Sequence, residues 1–249
     1  MRYFLEIAYN GSSYHGWQIQ ENANTVEAVL EDRLSKMLRQ PVDLVASGRT
    51  DTGVHCRSQF AHFDLEKPLP IQDFLHKLNS FLPNDIAVLS LKEVKPDAHA
   101  RFDAIRRTYE YLIITHKSPF WQGLAHQSKV DLDLEEMNYA CKVLLGEHDF
   151  QAFCKTRVDV SHYLCEVMEA KWEKRGELLV FTIKANRFLR GMVRLVTGAL
   201  LEVGDGNQAA SFLTEILEKK EQGTKRFAVP AHGLYLKKVE YPNHVFLEN

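Results

Sequence analysis

Apolar and polar positions alternate from the second residue. RYFLEIAY puts Tyr3, Leu5, Ile7 and Tyr9 on one face, which predicts a strand. NGSSYHGWQIQENA follows as a polar loop. Asn24, with Glu27 three residues on, predicts an N-cap and capping box. Val26, Val29, Leu30, Leu34, Met37 and Leu38 then recur at helical spacing, with Arg33 the one polar residue among them. DLVAS predicts a short strand, and SQFAHFDL a second one ended by Lys67-Pro68. IQDFLHKLNSFLP predicts a helix closed by Pro83, and DIAVLSLKEV another strand. The order β-α-β-β-α-β is that of a ferredoxin-like unit.

The pattern then repeats in outline. TYEYLIIT predicts a strand, and DLEEMNYACKVLLG a helix ending at Gly146. LCEVMEAKWEK and ELLVFTIKA predict a hairpin around Arg175-Gly176. NRFLRGMVRLVTGALLEVG predicts a helix, a second helix follows from Gln208 to Lys219, and HGLYLKKVEY predicts a final strand. The expectation is an α+β chain of two ferredoxin-like (βαββαβ) halves, with antiparallel sheets flanking a central cleft. The halves are 1–103 and 104–249, with the boundary near DAHARFDAIRR.

Composition narrows the class. Of 249 residues, 45% are apolar and 26% charged, a soluble globular balance. The net charge of -2 lacks the basic footprint of a general nucleic-acid binder, so an anionic partner would have to be held by local clusters. Cys56, Cys141, Cys154 and Cys165 form no C-x-x-C pair, which argues against zinc and for reduced thiols. The alternating, charged N-terminus is not a signal peptide, and no apolar run approaches the roughly 18 residues of a membrane helix. The expected location is cytoplasmic.

Polar chemistry concentrates in ASGRTDTGVHC, residues 46–56. Gly48 and Gly53 bracket the segment and permit backbone angles that other residues resist. Asp51 is a potential nucleophile or general base, and Arg49 a cation two residues away. The competing reading is a turn in which Asp51 satisfies its own backbone. His55 reads as structural.

At 100° per residue from Asn186, Arg187, Arg190, Arg194 and Thr197 share an arc with Gly191 and Gly198. Three arginines there point to an anionic neighbour, and the glycines to a close approach of backbone or ligand. A solvated helix face is the alternative. Arg101, Arg106 and Arg107 precede Tyr109 and Tyr111, and basic residues beside aromatics suit an unstacked base and its phosphate. Core packing competes with that reading, and is preferred for Tyr111. Trp17 is expected to pack under its loop. His148 and Asp149 in GEHDFQAFCK have no third metal ligand at suitable spacing and read as structural.

Together these segments resemble the TruA family of tRNA pseudouridine synthases. The likeness spans the chain: NGSSYHGWQIQ, SGRTDTGVHCRSQ, RRTYEY, GEHDFQAFCK, FLRGMVRLVTGALLEVG and HGLYLKKVEY occur in the expected order. G-R-T-D-x-G-V-H is the most specific of them. The resemblance implies two ferredoxin-like halves, a homodimer, and tRNA bound in basic clefts. It implies isomerisation of uridine to pseudouridine at positions 38, 39 and 40 of the anticodon stem-loop, with no metal and no cofactor. By the same resemblance Asp51 is the catalytic aspartate, Tyr109 stacks on the target uracil, Arg194 is the basic partner of the aspartate, and Arg49 helps displace the target base. Thr52 and Cys56 stand where many relatives have alanine, and Arg190 falls at a variable position. The rival from another class is a non-catalytic tRNA-binding or RNA-folding module on the same scaffold. A third reading, a small-ligand or metal-binding ferredoxin-like protein, suffers from the missing metal spacing.

Overall fold

Strand β1 (Arg2–Tyr9) buries Tyr3, Leu5, Ile7 and Tyr9 as its alternation predicts, and Phe4 from the other face as well. A strand with both faces covered needs two layers of partners, and the architecture around it supplies them. The computed structural model describes residues 1–128, 130–155, 162–219 and 228–247. They are mixed α+β with mostly antiparallel strands, and the chain divides into two units, Met1–Arg106 with Tyr235–Asn249, and Arg107–Leu234.

In the first unit the elements run β1, α1 (Val26–Leu38), β2 (Val45–Ala46), β3 (His55–Asp64), α2 (Ile71–Phe81) and β4 (Ile86–Val94). β1 is central, antiparallel to β3 on one side and to β4 on the other. Helix α1 buries Val26, Leu30 and Leu34, and α2 buries Phe74 and Leu78, so each presents one apolar stripe. On the opposite face Phe4, Val94, Ala98, Ala100 and Val245 form a second cluster, joined by Phe60, Tyr241 and Phe246. β1 shifts register against β3 between Ile7 and Tyr9, an irregularity that re-aims the end of the strand.

In the second unit β5 (Arg106–Ile114), β6 (His126–Gln127), α3 (Leu134–Cys141), β7 (Gly146–Asp149), β8 (Leu164–Arg175), β9 (Leu178–Ala185), α4 (Met192–Gly204) and α5 (Phe212–Lys219) follow in order. β9 lies between β5 and β8, all antiparallel, with β7 beyond β8. Gly176, at φ +62°, turns the β8–β9 hairpin where the Arg175-Gly176 pair predicts it. α3 packs on α4 closely: a Cβ at Gly204 would lie 2.5 Å from Met137 Sδ.

Three sequence expectations are corrected here. The final strand β10 (Leu234–Glu240) pairs in parallel with β3 of the first unit, Tyr235 with His55 and Leu236 with Cys56. Its alternating pattern carries no information on which sheet receives it. The cap of α1 is Thr25, which makes no side-chain capping bond. The carbonyls of Gly16 and Trp17 accept from Val26 and Glu27 N–H instead, and the Glu27 carboxylate binds Trp17 Nε1 and Ile19 N–H, each at 2.9 Å. The helix expected over 186–204 begins only at Met192. Asn186 N–H donates to the Glu166 carbonyl while its side-chain Oδ1 accepts from Glu166 N–H, the Arg190 carbonyl accepts from Lys155 N–H, and Gly191 sits at φ +74°. Those bonds take groups that a helical ladder would need.

Candidate active site

Two loops of the first unit build the surroundings of Asp51. Residues 10–17 run against residues 47–55, and the contact is backbone on backbone. Gly53 N–H donates to the Tyr14 carbonyl at 3.2 Å, and Trp17 N–H to the Thr50 carbonyl at 3.3 Å. Gly11 N–H donates to His55 Nδ1 at 3.1 Å. A Cβ at Gly11 would sit 2.0 Å from the Val54 oxygen, and one at Gly16 2.4 Å from the Thr50 oxygen. Gly16 also holds φ +88°, a region L-residues avoid. These glycines permit the approach of the two backbones.

Side chains lock the same loop from below. Thr50 is buried and its Oγ1 lies 2.8 Å from the Tyr9 hydroxyl. Tyr9 donates to Gln59 Oε1 at 3.5 Å, and Gln59 Nε2 to the Gly48 carbonyl at 3.3 Å. Between these fixed points the Asp51 carbonyl accepts from Val54 N–H at 3.1 Å, with Gly53 at φ +75°. Asp51 is half-buried and Arg49 exposed. The predicted freedom at Gly48 is not used: its φ is not positive and a Cβ there would meet nothing within 4 Å. His55 is structural as expected, its Nδ1 accepting from Gly11 and its ring stacked on Tyr235 at 4.6 Å. Trp17 is buried beneath the loop.

The second unit carries the other candidates. Tyr109 lies on β5 opposite Ile183, half-buried, with Phe188 set edge-on to its ring at 5.0 Å and 84°. Tyr111 is buried, and its hydroxyl donates to the Pro230 carbonyl at 2.9 Å. Burial pushes that phenol well above its ordinary pKa. Arg194 is on the first turn of α4, half-buried, and its Nε donates to the Val229 carbonyl at 2.7 Å.

The arginine arc changes character. Arg187 and Arg190 precede α4, and Thr197 and Gly198 are buried inside the molecule, Thr197 bonding the Val193 carbonyl at 2.7 Å. The helix is buried nearly all round and begins at Met192, so only Arg194 of the three arginines is helical. Arg187 reaches the His162 ring at 3.1 Å, and the Lys155 side chain covers Gly191. Arg101, Arg106 and Arg190 are exposed, while Arg107 is half-buried and donates to the Asn186 carbonyl at 3.1 Å.

Phe150 and Phe153 are core residues, and among the described residues no group of three His, Cys, Asp or Glu could hold a metal ion. All four cysteines are free and buried, and burial raises each thiol's pKa, to about 11 at Cys165. No helix among the described residues is long and apolar enough to cross a membrane.

Sequence reasoning missed the supporting residues Gly11, Tyr14 and Gly16. NGSSYHGW reads as a plain polar loop, although two glycines beside Tyr14 and Trp17 signalled a tight backbone contact.

Known proteins resemble this chain in sequence. A family model described as tRNA pseudouridine synthase matches residues 7–103 and 140–242. The tRNA pseudouridine synthase A of Parabacteroides distasonis is 46% identical, covering 98% of both chains. That of Bacteroides thetaiotaomicron is 44% identical over 99% of this chain and 93% of its own, and that of an Exiguobacterium species 38% over 95% and 96%. With the Asp51 loop intact and likeness running nearly end to end, the chain belongs to the tRNA pseudouridine synthase family.

Proposed function

We propose that this chain isomerises uridine to pseudouridine at positions 38, 39 and 40 of the tRNA anticodon stem-loop, with Asp51 as nucleophile or base. The observation that carries the reading is the loop around Asp51. Two backbones clamp it through Gly11, Gly16 and Gly53, so the backbone that carries Asp51 is fixed, which supports a role prepared before substrate arrives. Family membership supplies the reaction class.

The atoms balance without oxidant or water. The N1–C1′ bond breaks, the uracil turns, C5 bonds to C1′, and the C5 proton leaves while N1 gains one. A carboxylate serves by attacking sugar or base, or by taking a sugar proton. The target base must first leave its stack, at a cost of a few kcal/mol. In this proposal Tyr109 stacks on the uracil, Arg49 helps displace it, and Arg194 binds substrate as a fixed cation. The Phe188 edge on Tyr109 and the Val229 carbonyl on Arg194 support those roles by limiting rotamer freedom. Arg101, Arg106, Arg107, Arg187 and Arg190 are proposed as RNA-binding. The ferredoxin-like reading of the halves is supported in the first unit by its β-α-β-β-α-β order. A homodimer, a cytoplasmic location and independence of cofactors belong to the same proposal.

The test is tritium release from tRNA transcripts carrying [5-³H]uridine. Wild type should release tritium. Asp51→Asn should release none while keeping tRNA affinity within about tenfold, because it removes chemistry rather than contacts. Full activity in Asp51→Asn sinks the assignment.

A further inference from the structure

A ladder of rings runs from the interior of the first unit to its surface. Phe4 is buried and lies 6.1 Å from His62, at 28°. His62 is buried too and meets His99 edge-on at 4.8 Å and 67°. His99 lies 4.3 Å from Phe102 at 36°. Phe102 ends the ladder 74% exposed, with the exposed Arg101 guanidinium 5.6 Å over its ring.

The turn carrying the last rings is held by its own bonds. The Asp103 carboxylate accepts from His99 N–H at 2.7 Å, and Asp103 N–H donates to the His99 carbonyl at 3.0 Å. His99 Nδ1 accepts from Arg101 N–H at 3.1 Å and Phe102 N–H at 3.4 Å. His62 Nδ1 accepts from Ala100 N–H at 3.2 Å. A ring this exposed contributes little to folding, yet the turn fixes its place. That is the arrangement of a recognition surface prepared in advance.

We propose that Phe102, braced by His99 and flanked by Arg101, is a stacking platform for an unpaired RNA base, with Arg101 meeting a neighbouring phosphate. The proposal rests on the reading of this chain as a tRNA-modifying enzyme and adds a contact remote in sequence from the Asp51 loop. Every base offers a π-face, so one ring and one cation hold a single-stranded nucleotide. The charge of the turn favours an anionic partner. Beyond Phe102 and the half-exposed Ile105 it presents two arginines, Arg101 and Arg106, against one carboxylate, Asp103, which already accepts from His99 N–H.

The experiment uses full-length protein and tRNA transcripts with 2-aminopurine at single unpaired positions of the anticodon loop. Fluorescence, Kd, tritium release and sedimentation are read for wild type, Phe102→Ala, Phe102→Trp and Arg101→Gln. For one position, wild type should quench the probe and Phe102→Ala should not. Phe102→Ala should raise Kd about tenfold, and Phe102→Trp should stay within about twofold of wild type. Arg101→Gln should lower the salt dependence of binding by about one phosphate contact. Wild-type turnover with Phe102→Ala equal in Kd and quenching overturns the platform and leaves the proposed function standing. Changed sedimentation in Phe102→Ala with unchanged quenching assigns the ring to self-association and also overturns it. Phe102-dependent quenching without tritium release from wild type supports the platform and overturns the proposed reaction. No binding of tRNA by wild type overturns both.

Discussion

Arg194 Nε donates to the carbonyl oxygen of Val229 at 2.7 Å, and the next carbonyl, of Pro230, accepts from the Tyr111 hydroxyl at 2.9 Å. Two side chains thus hold consecutive peptide groups of one short segment. Gly233 presses that segment onto the Tyr111 ring, where a Cβ would lie 2.6 Å from Cζ. Tyr111, read from sequence as a core residue, therefore also fixes the anchor of Arg194.

Tyr111→Phe removes the hydroxyl and leaves the packing. It should cost about 1 kcal/mol of stability. It should also lower kcat several-fold with little change in tRNA Kd, because the segment that holds Arg194 loosens. Single-turnover tritium release and denaturant titration check both parts. An unchanged kcat would mean that the anchor is structural only.

Gly16→Ala tests the clamp on the Asp51 loop. The new Cβ would lie 2.4 Å from the Thr50 oxygen at a residue with φ +88°. The two backbones must then separate. Stability should fall by about 2 kcal/mol or more, and activity should fall further than tRNA affinity. Gly48→Ala, with open space around it, is the control and should be nearly silent.

Burial first, then Arg2 and His99, pushes His62 down to about 4, with Asp64 and a backbone bond to Val45 opposing. Its folded pKa is thus below its unfolded value. Its contribution is fully present above about pH 6.5 and is lost as pH falls from there towards 4. At pH 5 the loss should be on the order of 2 kcal/mol. Urea unfolding at pH 7 and pH 5 reads it, and His62→Gln should flatten that part of the profile.

Glu110 is 1% exposed, and its carboxylate is bound by Arg175, which also donates to Thr182 Oγ1 at 3.3 Å. Arg175→Ala would remove this cation from a buried carboxylate. The cost should be about 3 kcal/mol, near the low end for such a loss because Arg175 itself is partly exposed. Adding Glu110→Gln should recover part of it, as thermal melts of the single and double variants would show.

Local periodicity was legible even where, as in β1 and β9, both faces are buried. The strands β1, β3, β4, β5, β8 and β9, the hairpin at Arg175-Gly176 and the stripe of α1 all follow the apolar spacing. It failed where long-range partners took over local groups. The stretch before Met192 has helical spacing, but Glu166 and Lys155 claim its backbone bonds. Asn24 and Glu27 have capping-box spacing, but the carbonyls of Gly16 and Trp17 reach the helix end first. Asp51 stood out because polar residue types crowd its loop. The residues that hold the loop, Tyr9, Gly11, Tyr14, Gly16 and Gln59, lie in other segments, and no spacing rule links them to it.

The parallel pairing of β10 with β3 has a consequence in time. Tyr235, which backs His55, and Tyr241 and Phe246, which cover Phe4, are translated after the whole of the second unit. A nascent chain halted before residue 234 holds Asp51 and its glycines but lacks the strand behind them. The first unit begins on the ribosome and is completed last, so a truncated product would carry every proposed catalytic residue on an unfinished support.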